Sequence, residues 1–344
     1  MTASPSFDLR SGEASKRAAA AGVSQISLPV PFGSGGVNSW LVKDDPLTLV
    51  DVGCNWGGAL LALEAGLAAH GVRLADIERV VVTHQHVDHA GLLEVVLDRS
   101  GAEVVGSHLL GPWLSSYSSE RRADDRYRLD MLARHGVPEL VVAALRTAAI
   151  SAAGWGSEAD LTQLVADGDI LEFAGCSWTV LERPGHSPTD TMFLDAEHAL
   201  LITGDHLMTE IPAHPFISRP LQTVGDTEPL MPLALPTYLR SLERTEELED
   251  AVVLPGHGVP CIGHRQLAAH WREAELSNLQ AVRDQLGDAP QSAYEIGSAL
   301  LPGPTRRWVE ITMSDILGSI SLLLESGACT MEGDDPIRFR RANG

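Results

Sequence analysis

Apolar residues along this chain recur with two different periods, and the changes between them mark out its elements. The first stretches are short. Residues 25–30, 38–42 and 47–50 carry β-branched and apolar side chains between Gly, Pro and Asp, which predicts strands. Leu60, Leu61, Leu63 and Leu67 then fall at helical spacing, predicting a helix over 56–70 that stops at Gly71. Residues 77–82 form a mostly apolar run, the pattern of a strand buried on both faces. A short amphipathic helix is predicted over 90–97 and a strand over 103–106. From 111 to 165 the pattern is mostly helical, with Trp113, Tyr117, Tyr127 and Trp155 and an arginine cluster of Arg121, Arg122, Arg126 and Arg128. Strand-length runs return at 170–173, 178–182, 192–194 and 200–203. A proline-rich stretch, 211–236, reads as irregular and precedes a helix over 238–247 and a last core strand at 251–254. Beyond Gly263 the chain predicts helices over 264–286, 292–300 and 307–325, then a hairpin over 329–340 folded at Gly333-Asp334-Asp335.

This order predicts an α/β fold with two units. The first spans residues 1–262, with a lid-like helical insertion at about 111–165. The second, 263–344, has three helices closed by a hairpin and is winged-helix-like.

Composition narrows the class. With 44% hydrophobic and 21% charged residues over 344 positions, the chain is globular and neither disordered nor fibrous. No run approaches the ~20 apolar residues of a membrane span, and residues 1–21 lack the apolar segment of a secretory signal. Cys54, Cys176, Cys261 and Cys329 stand far apart with no CxxC spacing, which suits reduced thiols. A cytoplasmic protein without membrane contact is expected. The formal charge of −21 repels polynucleotides at long range. Residues 263–344 hold 8 arginines against 11 carboxylates, so even the tail makes a poor nucleic-acid clamp. A packing or dimerisation role suits it better, which leaves a homo-oligomer open. A small-molecule substrate is expected.

The chemistry concentrates in Thr83-His84-Gln85-His86-Val87-Asp88-His89-Ala90-Gly91, directly after the apolar run at 77–82. Residues two apart on an extended backbone point the same way, so His84 and His86 can reach one metal ion. Asp88 and His89 follow at the turn into a helix and can face a second. Three later fragments repeat the form, each a strand end followed by a glycine turn with a ligand: Arg183-Pro184-Gly185-His186, Thr203-Gly204-Asp205-His206 and Leu254-Pro255-Gly256-His257. Imidazole and carboxylate are the ligands of hydrolytic divalent metals. Seven of them suffice for two ions with open positions. His206 could support the site or be a structural loop residue, and His108 reads as packed or at the surface. No GxSxG, P-loop or GxGxxG motif is present.

The His-x-His-x-Asp-His pattern over roughly residues 20–262 resembles the metallo-β-lactamase fold superfamily. The resemblance implies an αββα sandwich in which His84, His86 and His186 hold one metal and Asp88, His89 and His257 the other, with Asp205 bridging. It also implies that Asp51 supports the ligands without touching metal. The absence of a cysteine ligand makes the set more similar to the glyoxalase II, thioesterase and lactonase branches. Zinc is the default metal for hydrolysis, with iron or manganese as alternatives.

The function this implies is a binuclear metal-dependent hydrolase in which a metal-bridging hydroxide attacks a small carboxylic ester, thioester or lactone. Asp88 is the candidate catalytic residue that orients the nucleophile and carries its proton. The tail also resembles that of a β-lactamase-like endoribonuclease, which makes phosphodiester cleavage the first alternative. A mononuclear iron persulfide dioxygenase, which shares the first motif, is the second.

Overall fold

The computed structural model describes residues 8–32, 35–221, 229–301 and 309–342. Its centre is two six-stranded sheets packed face to face. The first contains, in spatial order, β1 (Val23–Pro29), β2 (Gly36–Val42), β3 (Thr48–Val50), β4 (Arg79–Val82), β5 (Glu103–Ser107) and β6 (Gln163–Val165). Its first three strands are antiparallel and β3 to β6 are parallel. The second runs in reverse order from β12 (Cys261–Ile262) through β11 (Val252–Pro255), β10 (Leu200–Gly204), β9 (Thr191–Asp195) and β8 (Ser177–Glu182) to β7 (Ile170–Glu172). Only β10 and β11 are parallel there.

The period of two along β4 explains the layering. Val80 and Val82 turn outwards with Leu49, against α2 (Gly57–Ala69) and α4 (Leu93–Ser100). Val81 turns inwards with Val50 and Val105 and meets Trp178, Val180, Phe193 and Ile202 of the second sheet. The outer face of the second sheet is covered in turn by α8 (Ala234–Glu246) and α9 (His264–Gln285), through Tyr238, Leu242, Leu267 and Trp271. The expected αββα sandwich is therefore present, with a strand buried on both faces where the apolar run predicts one.

Several details depart from the pattern-based expectation. An additional helix, α1 (Ser11–Ala20), packs Ala14 and Ala18 into the core between the sheets. The predicted helix at 90–97 is two helices, α3 (Val87–Ala90) and α4, so Asp88 and His89 lie on a helical turn. The helical insertion comprises α5 (Gly111–Ser115), α6 (Tyr117–Arg134) and α7 (Glu139–Ala152), and its last residues return to the first sheet as β6. Helix α8 begins at Ala234, four residues early, because Pro236 is tolerated in a first turn that lacks intrahelical N–H partners anyway.

The C-terminal region contains α10 (Ala293–Leu300), α11 (Val309–Glu325) and a small sheet of β13 (Gln291–Ser292), β14 (Cys329–Glu332) and β15 (Arg338–Arg341). The predicted start of the third helix, at 307, lies outside the described residues. Ser292 caps α10 and Glu295 returns the bond, a reciprocal cap readable from Ser-Ala-Tyr-Glu. Val282, Ile296, Met313, Leu317, Ile320 and Phe339 of this region share one apolar cluster with Tyr127, Leu129, Leu132 and Val142 of the insertion. Among the described residues no helix is long and apolar enough to cross a membrane.

Candidate metal centre

All four ligand-bearing fragments leave strands at one edge of the sandwich. In the first sheet β3 and β4 are parallel, so Asp51 and Thr83 emerge side by side. In the second, β10 and β11 are parallel, and β8 is two antiparallel steps from β10, so all three end at the same edge. The sheets are tied there by Thr191 N donating to Thr83 O (3.0 Å) and Asn38 N donating to Gly256 O (2.7 Å).

The seven predicted residues converge. His84 Nε2 and His186 Nε2 each lie 3.0 Å from His86 Nδ1. Asp205 stands between the two halves, its Oδ1 3.3 Å from His89 Nε2 and its Oδ2 3.4 Å from His186 Nε2 and 3.3 Å from His257 Nε2. Asp88 Oδ2 is 3.3 Å from His257 Nε2. Three overlapping groups result, in each of which the ligand atoms lie within 4.8 Å of one another: His84, His86 and His186; His84, His89 and Asp205; Asp88, His89 and His257.

The outer hydrogen bonds fix which nitrogen points inwards. Thr83 Oγ1 gives its proton to Asp51 Oδ2 (2.8 Å), so it accepts from His84 Nδ1 (3.0 Å). His89 Nδ1 donates to Asp51 Oδ2 (2.7 Å), His186 Nδ1 to His214 O (2.9 Å) and His257 Nδ1 to Gly36 O (2.7 Å). Each of these four rings therefore keeps its Nε2 for the cluster side: His84 and His186 present it as a lone pair, and His89 and His257 do so once their second proton is lost. His86 Nδ1 lies 3.0 Å from two acceptor nitrogens, His84 Nε2 and His186 Nε2, which it can serve with at most one hydrogen, and His89 Nε2 and Asp205 Oδ1 are buried without a hydrogen-bond partner. A divalent cation supplies what this arrangement lacks, and the donor set fits one.

The two halves differ in charge. Burial, reinforced by neighbouring imidazoles, holds His84 well below its ordinary pKa, His86 down at about 3 and His186 at about 4. These three are neutral and ready to coordinate. Burial also works against the protonated forms of His89 and His257, but the carboxylates around them outweigh it. Asp205, Asp51 and Asp88 raise His89 well above its ordinary value, and Asp205 with Asp88 raises His257 to about 10. Burial likewise opposes the ionised Asp88, and His89 and His257 overcome it to hold that carboxyl at about 2.

Turn chemistry completes the scaffold. Asp190 accepts from Ser187 N (2.8 Å) and Oγ (2.6 Å), shaping the loop that carries His186, while Thr189 Oγ1 donates to Gln85 and links that loop to the first motif. Gly256 has no room for a side chain, since a Cβ there would lie 2.2 Å from Asp205 Oδ1.

The other candidates resolve plainly. His206 is fully buried, with Nε2 2.9 Å from Thr245 Oγ1, and packs edge-on against Tyr238. His108 is at the surface, 3.4 Å from Glu182. Trp113, Tyr117 and Tyr127 are buried packing residues. Arg121 and Arg128 pair with Asp125, and Arg128 also with Glu310. Cys54 and Cys261 are buried and unpaired.

Sequence reasoning read 211–236 only as an irregular stretch, and the part of it at 211–221 is a strap beside the cluster. His214 O orients His186, and the Phe216 ring lies 5.3 Å from His186 and 6.0 Å from His86. No motif marks these positions.

Comparison with known proteins agrees with this geometry. The family profile described as the Metallo-beta-lactamase superfamily matches residues 32–257. A Bacillus subtilis (strain 168) protein described as "Probable metallo-hydrolase YqjP" is 32% identical over 308 residues, covering 89% of this chain and 93% of its own. A hydroxyacylglutathione hydrolase, GloC, of Haemophilus influenzae is 25% identical over 183 residues, covering 53% and 69% respectively. The crystal structure of a metallo-beta-lactamase family protein from Thermus thermophilus superposes with a TM-score of 0.75 at 26% identity, covering 93% of this chain and 98% of that one. Sandwich, clustered His/Asp residues and profile match agree: the chain belongs to the metallo-beta-lactamase superfamily.

Proposed function

We propose that this protein is a binuclear metal-dependent hydrolase acting on a small carboxylic ester, thioester or lactone in the cytoplasm. One observation carries the reading. The seven His/Asp side chains form two halves that share Asp205, with inward lone pairs set by outer hydrogen bonds. His84, His86 and His186 would hold one ion, Asp88, His89 and His257 the other, and Asp205 both. Two divalent cations in such a set supply Lewis acidity and a water of lowered pKa, with zinc the default.

The protein's own residues do the rest. Asp88 is an acceptor at the partly exposed side of the cluster, beside His257, where it can orient a nucleophile and take up its proton. Asp51 and Thr83 keep His84 and His89 in the required tautomers. Before a cation binds, protonated His89 and His257 keep Asp88 ionised. The similarity over about half of the chain to a hydroxyacylglutathione hydrolase supports an acyl substrate, and the net charge of −21 favours a small molecule over a polynucleotide.

Elemental analysis of protein purified without chelators tests the reading, followed by assays on thioester and lactone panels. About two equivalents of divalent metal per chain and hydrolysis that His84→Ala abolishes are expected. One equivalent of iron, with oxygen uptake on a persulfide, would overturn it.

A further inference from the structure

The strap at 211–221 has a pattern of its own. Ala213, Pro215 and Ile217 are buried, while the intervening His214 and Phe216 are only half-buried, the alternation of an extended segment with two faces. Ile217 joins the apolar cluster shared by the insertion and the C-terminal helices. Phe216 does not. Its ring stands edge-on to His86 and His186, with interplanar angles of 78° and 69°, and His86 is one of the cluster's partly exposed members. A large apolar ring thus sits beside polar imidazoles, next to a partly exposed member of the cluster, and outside the apolar cluster that Ile217 joins.

The ring is held on several sides. Phe216 N donates to His186 O (3.3 Å), Ile217 N to Ser314 Oγ on α11 (3.3 Å) and Arg219 N to Asp124 Oδ1 on α6 (2.7 Å). The Arg219 guanidinium also pairs with Glu120 of α6. Such tethers remove the entropy cost of ordering the strap when a ligand arrives.

We infer that Phe216 is a specificity-determining residue, an apolar wall beside His86 and His186 that selects substrates with an apolar, preferably aromatic, group next to the scissile bond. The inference rests on the metal-hydrolase reading and adds to it the kind of substituent the cleft accepts. An aromatic group on the substrate would meet the Phe216 ring in the offset or edge-on contact such rings prefer, while a methyl group would leave it partly wet. Asp124 and Ser314 act through the strap as positioning residues.

The test uses the metal-loaded full-length chain and two metal-chelating probes, benzohydroxamate and acetohydroxamate, titrated calorimetrically. Both present the same chelating group, so the affinity ratio reports the substituent alone. Benzohydroxamate is expected to bind about tenfold tighter. Phe216→Ala should remove most of that preference with metal content unchanged. Phe216→Leu, which keeps apolar bulk for the strap, should remove part of it. Asp124→Ala should lower the ratio and Asp124→Asn, which retains a carbonyl acceptor, restore it. Equal affinities in the unmodified protein, or a preference that survives Phe216→Ala, would overturn the inference. Phe216-dependent preference without turnover of any ester, thioester or lactone would leave the wall standing and remove the hydrolase reading. Failure of both probes to bind would remove both readings.

Discussion

Asp51 Oδ2 lies 2.7 Å from His89 Nδ1, and Asp51 makes that bond from a left-handed backbone conformation, φ +58°. Few residues besides glycine adopt such a φ, aspartate being one that does. The same carboxylate takes Thr83 N (2.9 Å) and Thr83 Oγ1 (2.8 Å), so one side chain at the end of β3 sets the orientation of two histidines of the cluster, His84 and His89. Asp51→Ala removes the acceptor for three donors. We expect metal affinity to fall by about 10–100-fold, read by competition with a chromogenic chelator. Unchanged affinity would show that His84 and His89 are oriented by other means.

Gly256→Ala tests how tightly the centre is built. The new methyl group would lie 2.2 Å from Asp205 Oδ1 and 2.8 Å from His89 Cε1, so the shared carboxylate must move. The variant should fold, with metal content per chain well below that of the unmodified protein. Full metal occupancy would place Asp205 outside the ligand set.

Metal uptake should expel protons. His257, with its pKa at about 10, and His89, held well above its ordinary value, are protonated at neutral pH when no cation is bound. A cation takes those protons' place, so affinity should weaken as pH falls, with at least one proton released per chain on loading. Titration calorimetry in buffers of different ionisation enthalpy counts them. A heat independent of buffer would contradict the assignment of these histidines.

Glu275 carries a stability prediction away from the His/Asp cluster. On α9 it is buried, with Asp315 of α11 adding its charge, and its pKa is pushed from 4.5 up to about 8. The folded chain thus holds a proton there that the unfolded chain loses near pH 4.5. The site's contribution is most favourable below that value and is lost as pH rises to about 8. Glu275→Gln should raise Tm at pH 8 and leave it nearly unchanged at pH 4.5. Equal shifts at both pH values would refute the buried proton.

How much of this was legible in the sequence depends on the range of the interaction that carries it. His84, His86, Asp88 and His89 lie within six residues, and their spacing directly after an apolar run is visible without the fold. The strand-turn form of the fragments around His186, Asp205 and His257 points to one sheet edge, because strands that run the same way end together. Helix α1 was not legible, since it buries only Ala14 and Ala18, and alanine gives little apolar contrast. The roles of His214 and Phe216 were not legible either. They depend on anchors at Asp124 and Ser314, each about ninety residues or more away along the chain, and no local pattern encodes those distances. The insertion and the C-terminal helices read as separate units because each has its own periodicity, and only packing reveals the apolar cluster they share.

That shared cluster has a consequence for the order in which the protein acquires its parts. Chains emerge N-terminal end first, and early segments can fold while later ones are still being made. All seven residues of the His/Asp cluster have been synthesised once His257 is made, but Ser314, which anchors the strap beside it, follows 57 residues later. A nascent chain of intermediate length can therefore gather these side chains before α11 exists to add its hold on the strap beside them. At that stage the cluster has its charge and donors and the strap its anchors on α6, while the tie from Ile217 N to Ser314 is still to come.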